Sequence, residues 1–481
     1  MSFSRRTFLS TASVSTAFAG LAALAACSPK GKGQVFPIAT DKYGPLKSDP
    51  EGVLDLPKGF EYRILSRMGD PMDDGLLLPA DPDGMAAFAT KDGKTILMRN
   101  HEIAPGDLKR ELPPSNQSIS AFGRKDKYLD RVDTTKLYDH GPKGRQLSGG
   151  VTAMVVDEGS MRVQSQFLAL GGTYNNCAGG LTPWGSWITC EETIRKAKPS
   201  AGIYQDHGYA FEVIADPQSG LQKAVPLRDM GRFQHEAACV DPRSSIVYMT
   251  QDYGSKPSLL YRFLPNVPGK LAMGGKLQAL AIMGSPTKDM RNWPAGKAAT
   301  VDTGDWMYTE WVDLDDVTNP NNDLELRGLE AGAALFTRGE GMWFGEDEMY
   351  FACTNGGAAK IGQIWRYVPS PVEGTSLEAR HPGRLQLFVE SPDPSVMEYA
   401  DNITIASWGD MIVCEDGKQG DNFLRGITPD GRIYTLARSA LKQKNEFTGA
   451  CFGPDGKTLY FNLQQSGLTI AVRGPWDAPR S

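Results

Sequence analysis

A hairpin-like unit recurs six times along this chain, from Asp83 to Glu102, Cys177 to Glu192, Glu236 to Asp252, Glu340 to Asn355, Asp401 to Asp416 and Gly449 to Gln464. Each copy has a polar or small start, an apolar stretch, a turn such as Lys91-Asp92-Gly93, Pro183-Trp184-Gly185 or Pro454-Asp455-Gly456, and a second apolar strand. That is the pattern of a β-hairpin repeat. The second strands end alike, in His101-Glu102, Glu191-Glu192, Gln251-Asp252, Thr354-Asn355, Glu415-Asp416 and Leu463-Gln464. In an antiparallel hairpin the start of the first strand lies beside the end of the second, so every copy gathers its polar groups at its open end. A long-period repeat signals a propeller or a solenoid, and a propeller sets equivalent strands of each blade around one channel. The expected fold is all-β: a six-bladed β-propeller with ligand-bearing strands around a central channel and one acidic ring.

The chain has 481 residues, but propellers are single domains that exceed the usual size, and no linker-like break separates the copies. A net charge of −6 argues against a nucleic-acid partner, which needs a concentrated basic face. Ser4-Arg5-Arg6-Thr7-Phe8-Leu9, followed by the uncharged run from Thr11 to Ala26, reads as a twin-arginine export signal. Leu24-Ala25-Ala26-Cys27 resembles a lipobox, whose cysteine would carry a lipid; ordinary signal-peptidase cleavage is the alternative. Residues 1–27 are therefore set aside as a leader, 28–50 as a linker and 51–481 as one catalytic domain. No later apolar run is long enough to span a bilayer. The expectation is a monomer that engages the twin-arginine translocation machinery and ends in the periplasm or as a membrane-tethered lipoprotein.

The candidate ligands are Glu102, Cys177, Glu192, Glu236, Glu340, Asp401, Asn402, Glu415 and Asp416. Carboxylates converging on one channel end repel each other and raise their own pKa values unless cations lie among them, so the acidity itself implies metals. Oxygen ligands suit hard ions such as calcium or a ferric centre, whereas a thiolate points to a transition metal. Of the cysteines after Cys27, Cys190, Cys353, Cys414 and Cys451 sit inside apolar strands as small hydrophobes, while Cys177, at a hairpin entrance between Asn175-Asn176 and Ala178-Gly179-Gly180, has the setting of a ligand. Taken singly, each glutamate could be a solvated strand end; their matched recurrence favours a shared site. His101 and His235 read as orienting or core residues rather than ligands, and Gln464 as structural. Arg338 precedes Glu340 by two, which on an extended strand puts both side chains on one face. A guanidinium there calls for an anion such as phosphate, unless it forms a surface or inter-blade salt bridge. Arg232 is a weaker case of the same kind.

The segments Asn100-His101-Glu102, Asn176-Cys177-Ala178-Gly179-Gly180 with Cys190-Glu191-Glu192, Arg232-Phe233-Gln234-His235-Glu236-Ala237, and Trp408-Gly409-Asp410 with Cys414-Glu415-Asp416 resemble the PhoX-type alkaline phosphatases. The likeness runs from about residue 50 to Trp476. It implies hydrolysis of small phosphate monoesters at a centre of two irons (Fe3+) and three calcium ions. It also implies Cys177 as the thiolate ligand of an iron, with Glu102, Glu192, Glu236, Glu340, Glu415 and Asp416 completing the metal shell and Arg338 holding phosphate. No serine motif such as GxSxG is present, which favours a nucleophile supplied by the metal centre. Two other readings compete: a calcium-dependent propeller lactonase or esterase, and a non-catalytic binding lipoprotein.

Overall fold

A computed structural model describes residues 42–107, 119–254, 256–294, 301–417 and 421–477. The expected leader, with Cys27, lies outside them. All the repeated units form antiparallel hairpins: Pro82–Ala89 with Thr95–His101, Asn176–Leu181 with Ser186–Glu191, His235–Val240 with Val247–Gln251, Gly339–Phe344 with Met349–Cys353, Ala400–Ile405 with Met411–Glu415, and Phe447–Phe452 with Leu459–Leu463. The second strands are buried on both faces, which is why they read as continuous apolar runs rather than alternating ones. The first strands of the hairpins touch one another in sequence order, and Phe447–Phe452 returns to Pro82–Ala89, so they make a closed circle.

The fold is all-β and propeller-like. Hydrogen bonding groups the strands into five sheets, of nine, six, four, four and three strands, where the repeat leads one to expect six. The difference has a local cause. Trp306–Asp313 lies antiparallel to Gly275–Ile282 and also pairs with Arg384–Glu390, through Trp306 and Gln386, Met307 and Leu385, and Tyr308 and Arg384. That contact fuses two neighbouring hairpin sheets at their outer edges.

Early and late described segments meet in one sheet, because Glu61–Arg67 forms the outer strand beside Leu468–Arg473. Leu54–Pro57 adds to Ile433–Ser439 and carries Leu46–Lys47 on its other side. Described residues ahead of 51 thus take part in the sheet, and the Lys42 ammonium ion-pairs with buried Asp410. Pairing these segments protects edges that would otherwise recruit another chain. Among the described residues no helix is long and apolar enough to cross a membrane. Cys177, Cys190, Cys239, Cys353, Cys414 and Cys451 are all free and buried.

Candidate active site

Every hairpin carries a β-bulge at the same place. Two residues of the first strand face one of the second: Asp83-Gly84 opposite Asn100, Cys177-Ala178 opposite Cys190, Glu236-Ala237 opposite Thr250, Glu340-Gly341 opposite Ala352, Asp401-Asn402 opposite Cys414, and Gly449-Ala450 opposite Phe461. A bulge bends its strand and re-aims a side chain. The first bulge residues are Asp83, Cys177, Glu236, Glu340, Asp401 and a glycine, Gly449. Four of these side chains converge, with Glu192 joining them: one ligand atom each from Cys177, Glu192 and Glu236 lies within 4.8 Å of the others, and so does one each from Glu236, Glu340 and Asp401. The strands must approach closely for this. A Cβ on Gly84 or Gly341 would sit 2.6 Å from the Cα of Ala178 or Asn402 in the next strand, closer than real contacts allow.

Polar side chains from the preceding hairpin hold the bulged backbone. The Asn100 amide donates to the carbonyls of Cys177 at 2.9 Å and Ala178 at 2.7 Å. Asn462 donates to Asp83 O at 2.7 Å, and the Thr250 hydroxyl to Glu340 O at 2.6 Å. Buried carbonyls left without such donors would cost stability, so these contacts fix the bulges as well as satisfy them.

A second set of acids lies at the hairpins' open ends. The residue after each second strand donates its N–H to the residue two before the bulge: Glu102 to Asp81, Glu192 to Asn175, Asp252 to Gln234, Thr354 to Arg338, and Asp416 to Tyr399. Asp81 (φ 44°), Asn175 (φ 52°), Arg338 (φ 36°) and Tyr399 (φ 48°) are left-handed there, a conformation that non-glycine residues keep only when their surroundings enforce it. The Asn175 amide bridges Glu102 and Glu192, at 3.1 Å each, and the Gln464 amide bonds Glu102 at 2.8 Å and Asp83 at 3.2 Å. Arg338 Nη2 is 2.6 Å from Asp252 Oδ2 and 2.9 Å from Glu340 Oε1, the latter outside hydrogen-bond geometry.

Burial, reinforced by mutual repulsion, lifts Asp83, Glu192, Glu236, Glu340 and Glu446 well above the carboxylate range, and pushes Asp401 up to about 7. The Cys177 thiol is raised by burial and by Glu236 and Glu192. Burial alone would lower the Arg338 guanidinium, but Glu340 and Asp252 outweigh it and hold the charge. Among the described residues the Arg338 guanidinium and the Lys444 ammonium, 2.9 Å from Asp416, are too few cations for so many carboxylates and leave the group short of positive charge. Its donors, oxygens with one sulfur, fit hard cations together with a transition metal.

The model of the family described as Alkaline phosphatase PhoX matches residues 41–467. The chain belongs to that family. The solved structure of Pseudomonas fluorescens PhoX in complex with vanadate, a transition state analogue, aligns with 92% of this chain and 97% of its own, at 18% identity and a TM-score of 0.63, a likeness of fold. The Pseudomonas aeruginosa periplasmic gluconolactonase PpgL aligns with 87% of this chain and 93% of its own, at 12% identity and a TM-score of only 0.40. No curated protein matches the sequence. The protein is an alkaline phosphatase of the PhoX family.

The phosphatase brings Cys177, Glu192, Glu236, Glu340 and Asp401 together, with Glu102 beside Asp83 and Asp416 beside Asp401 and Glu446. Glu415 does not join them. Its carboxylate accepts from Arg425 Nε at 2.8 Å and from the N–H groups of Glu398 at 3.0 Å and Phe423 at 3.2 Å, because neighbours in an extended strand face opposite ways and Asp416 has the site side. Asn402 is taken up by the Gly449 N–H and by Asp401. Arg338 reaches Glu340, but through a left-handed residue ahead of the strand, not an extended one as the sequence suggests. Arg232 is buried elsewhere, donating to carbonyls of Ile194, His207, Thr318 and Asn319. His101 bonds Ala80 O and Thr152 Oγ1 inside its sheet, and His235 bonds Gly231 O.

Asp81, Asp83, Asn175 and Glu446 are missing from the sequence-based ligand set, and Gln464 reads there as structural. Alignment on the bulge would have found Asp83, which begins the first copy where Cys177 begins the second. Glu446 is harder, since the last hairpin zips one residue further, with Gln464 N donating to Glu446 O.

Proposed function

We propose that this phosphatase hydrolyses phosphate monoesters to inorganic phosphate at the ring of bulge residues, with iron and calcium held there. One observation carries the reading: two ligand triads, Cys177–Glu192–Glu236 and Glu236–Glu340–Asp401, share Glu236, and only one contains sulfur. The thiol of Cys177 would select iron. Glu340, Asp401, Asp83, Glu102, Asp416 and Glu446 offer the oxygens that calcium takes. Two irons and three calcium ions are the complement the family resemblance implies. Bound cations would polarise the phosphate oxygens and neutralise the charge that develops in the transition state. Six blades are counted if the nine-stranded sheet is divided at its outer-edge pairing. The leader motif and Cys27 support a monomer exported by the twin-arginine route, periplasmic or lipid-tethered.

In this reading Arg338 receives the ester. Its side chain is 26% exposed at the edge of the buried acids. A phosphate entering beside it takes over donors that now face Asp252 and Glu340, and a guanidinium can engage two phosphate oxygens at once. Arg338→Ala is expected to raise KM for a phosphate monoester, and Ki for inorganic phosphate, about 10- to 100-fold, the worth of hydrogen bonds to a charged group. Steady-state kinetics with product inhibition check this, and iron and calcium contents stay at wild-type levels.

The test of the function is metal analysis of the purified protein beside its hydrolysis of a chromogenic monoester, for wild type and Cys177→Ala. Iron and calcium in the wild type, with iron and activity both lost in the variant, are the expected results. Calcium without iron, and no hydrolysis of the monoester by the wild type, would move the assignment toward a calcium-dependent lactonase.

A further inference from the structure

Two acids just outside the ring occupy the same structural position. Glu191 faces Asn176 and Glu415 faces Ala400, each across from the residue that precedes the bulge. Both are fully buried. At this register the other hairpins carry His101, Gln251, Cys353 and Asn462.

Their contacts match. Each carboxylate accepts the N–H of the residue directly before a left-handed residue: Tyr174 N to Glu191 Oε1 at 2.9 Å, ahead of Asn175, and Glu398 N to Glu415 Oε1 at 3.0 Å, ahead of Tyr399. Each also grips the neighbouring strand or its approach, Glu191 through the N–H groups of Gly208 (2.8 Å) and Tyr209 (3.2 Å), Glu415 through that of Phe423 (3.2 Å). And each is paired with a buried basic side chain. His207 Nδ1 lies 2.6 Å from Glu191, with its Nε2 3.3 Å from Asp139, while Arg425 Nε lies 2.8 Å from Glu415.

We propose that Glu191 and Glu415 are positioning residues: they touch no cation or substrate, and they set the left-handed turns at Asn175 and Tyr399 that aim Cys177 into one triad and Asp401 into the other. The chemistry explains why carboxylates are used. An ionised carboxylate offers about four lone pairs and no donor, so it can accept several N–H groups and a basic side chain together, whereas an amide must turn its own N–H toward one of those donors. The left-handed residue then has no freedom to relax, and the ligand two positions on is fixed with it. Asp139, which accepts from Tyr204 N at 2.7 Å and Gln205 N at 3.0 Å, extends this hold to a further loop. This inference rests on the ring being a cation site.

The experiment uses the intact metal-loaded enzyme with Glu191→Gln, Glu415→Gln, His207→Gln and the Glu191→Gln/His207→Gln pair. Competition with a chelator measures retention of iron and calcium, alongside metal content at saturation, Tm, and kcat and KM separately. The expected result is a full metal complement at saturation with retention weakened about 10- to 100-fold, as for outer residues that orient ligands. The double variant should be no worse than Glu191→Gln alone, because both act through one contact. His207→Gln keeps the Glu191 carboxylate and its backbone donors, so it reports even if Glu191→Gln fails to fold. Loss of a metal equivalent at saturation would make the residue a ligand and overturn the proposal. So would a lowered Tm with unchanged retention, which would mean a purely structural role. Wild-type protein that retains neither iron nor calcium would overturn the cation reading itself, before any variant is compared.

Discussion

Glu236→Gln lowers kcat/KM for a phosphate monoester on the order of 10²- to 10³-fold, and at the same time makes the chelator-treated protein more stable. The first effect follows from its membership in both ligand triads, so that one substitution weakens the binding of cations on either side. Losing a positive charge held against the reacting group has costs of this order. The second effect follows from what surrounds it. Burial, with Glu340, Glu192, Asp401 and Asp83, already holds Glu236 well above the carboxylate range, and an uncharged amide of the same size removes that repulsion. Stability is thus spent to keep a charged site assembled. Steady-state kinetics and thermal unfolding with and without chelator measure the two effects, and their opposite signs separate them from general misfolding. A variant that lost activity and also lost metal-free stability would contradict this account.

Removing the cations makes the protein's stability fall steeply as pH rises. Asp401 at about 7, with Asp83, Glu192, Glu236, Glu340 and Glu446 higher than ordinary carboxylates, all bind protons more tightly folded than unfolded. Wherever the folded state holds more protons, the free energy of unfolding decreases with pH. The sign is therefore the reverse of a salt-bridged aspartate: the contribution is fully present below the unfolded pKa near 3.8 and is lost as pH rises through the folded value, about 7 for Asp401. Each proton involved gives a slope of about 1.4 kcal/mol per pH unit. Bound cations replace those protons. The chelated protein should show a Tm that drops between about pH 5 and 8, while the metal-loaded protein stays nearly level over the same range. A chelated protein with a flat profile would mean that the acids are not held apart from solvent as the structure places them.

Much of this was legible in the sequence because the repeat is carried by turns and apolar runs, which are local signals. The hairpin boundaries and the pairing of open ends follow from them. What was not legible is geometry set between hairpins. The fusion of two sheets depends on Trp306 to Tyr308 reaching Arg384 to Gln386, a contact between segments with no shared motif. Glu415 and Asp416 are adjacent in sequence, and nothing local says which faces inward; the bulge decides it for the first strand and strand alternation for the second. Asn100, Thr250 and Asn462 stand at the polar ends of their strands like many strand-end residues, and their role in pinning the bulges appears only once the neighbouring hairpin is in place. Arg338 shows both sides of this: the residue is pointed out by its nearness to Glu340, yet the backbone that aims it is left-handed, not extended.

The strand Glu61–Arg67 completes the sheet of Leu468–Arg473. The two halves of that pairing lie far apart in the sequence, with all the hairpins between them. Joining segments so distant in sequence has a high loop-closure cost, and such topologies fold slowly. Because the candidate ligands are distributed over hairpins from Asp83 to Asp416, with Glu446 and Gln464 after them, a partly folded chain holds only partial sets of acids until that last pairing forms. The full set of acids is therefore assembled only when the ring is closed.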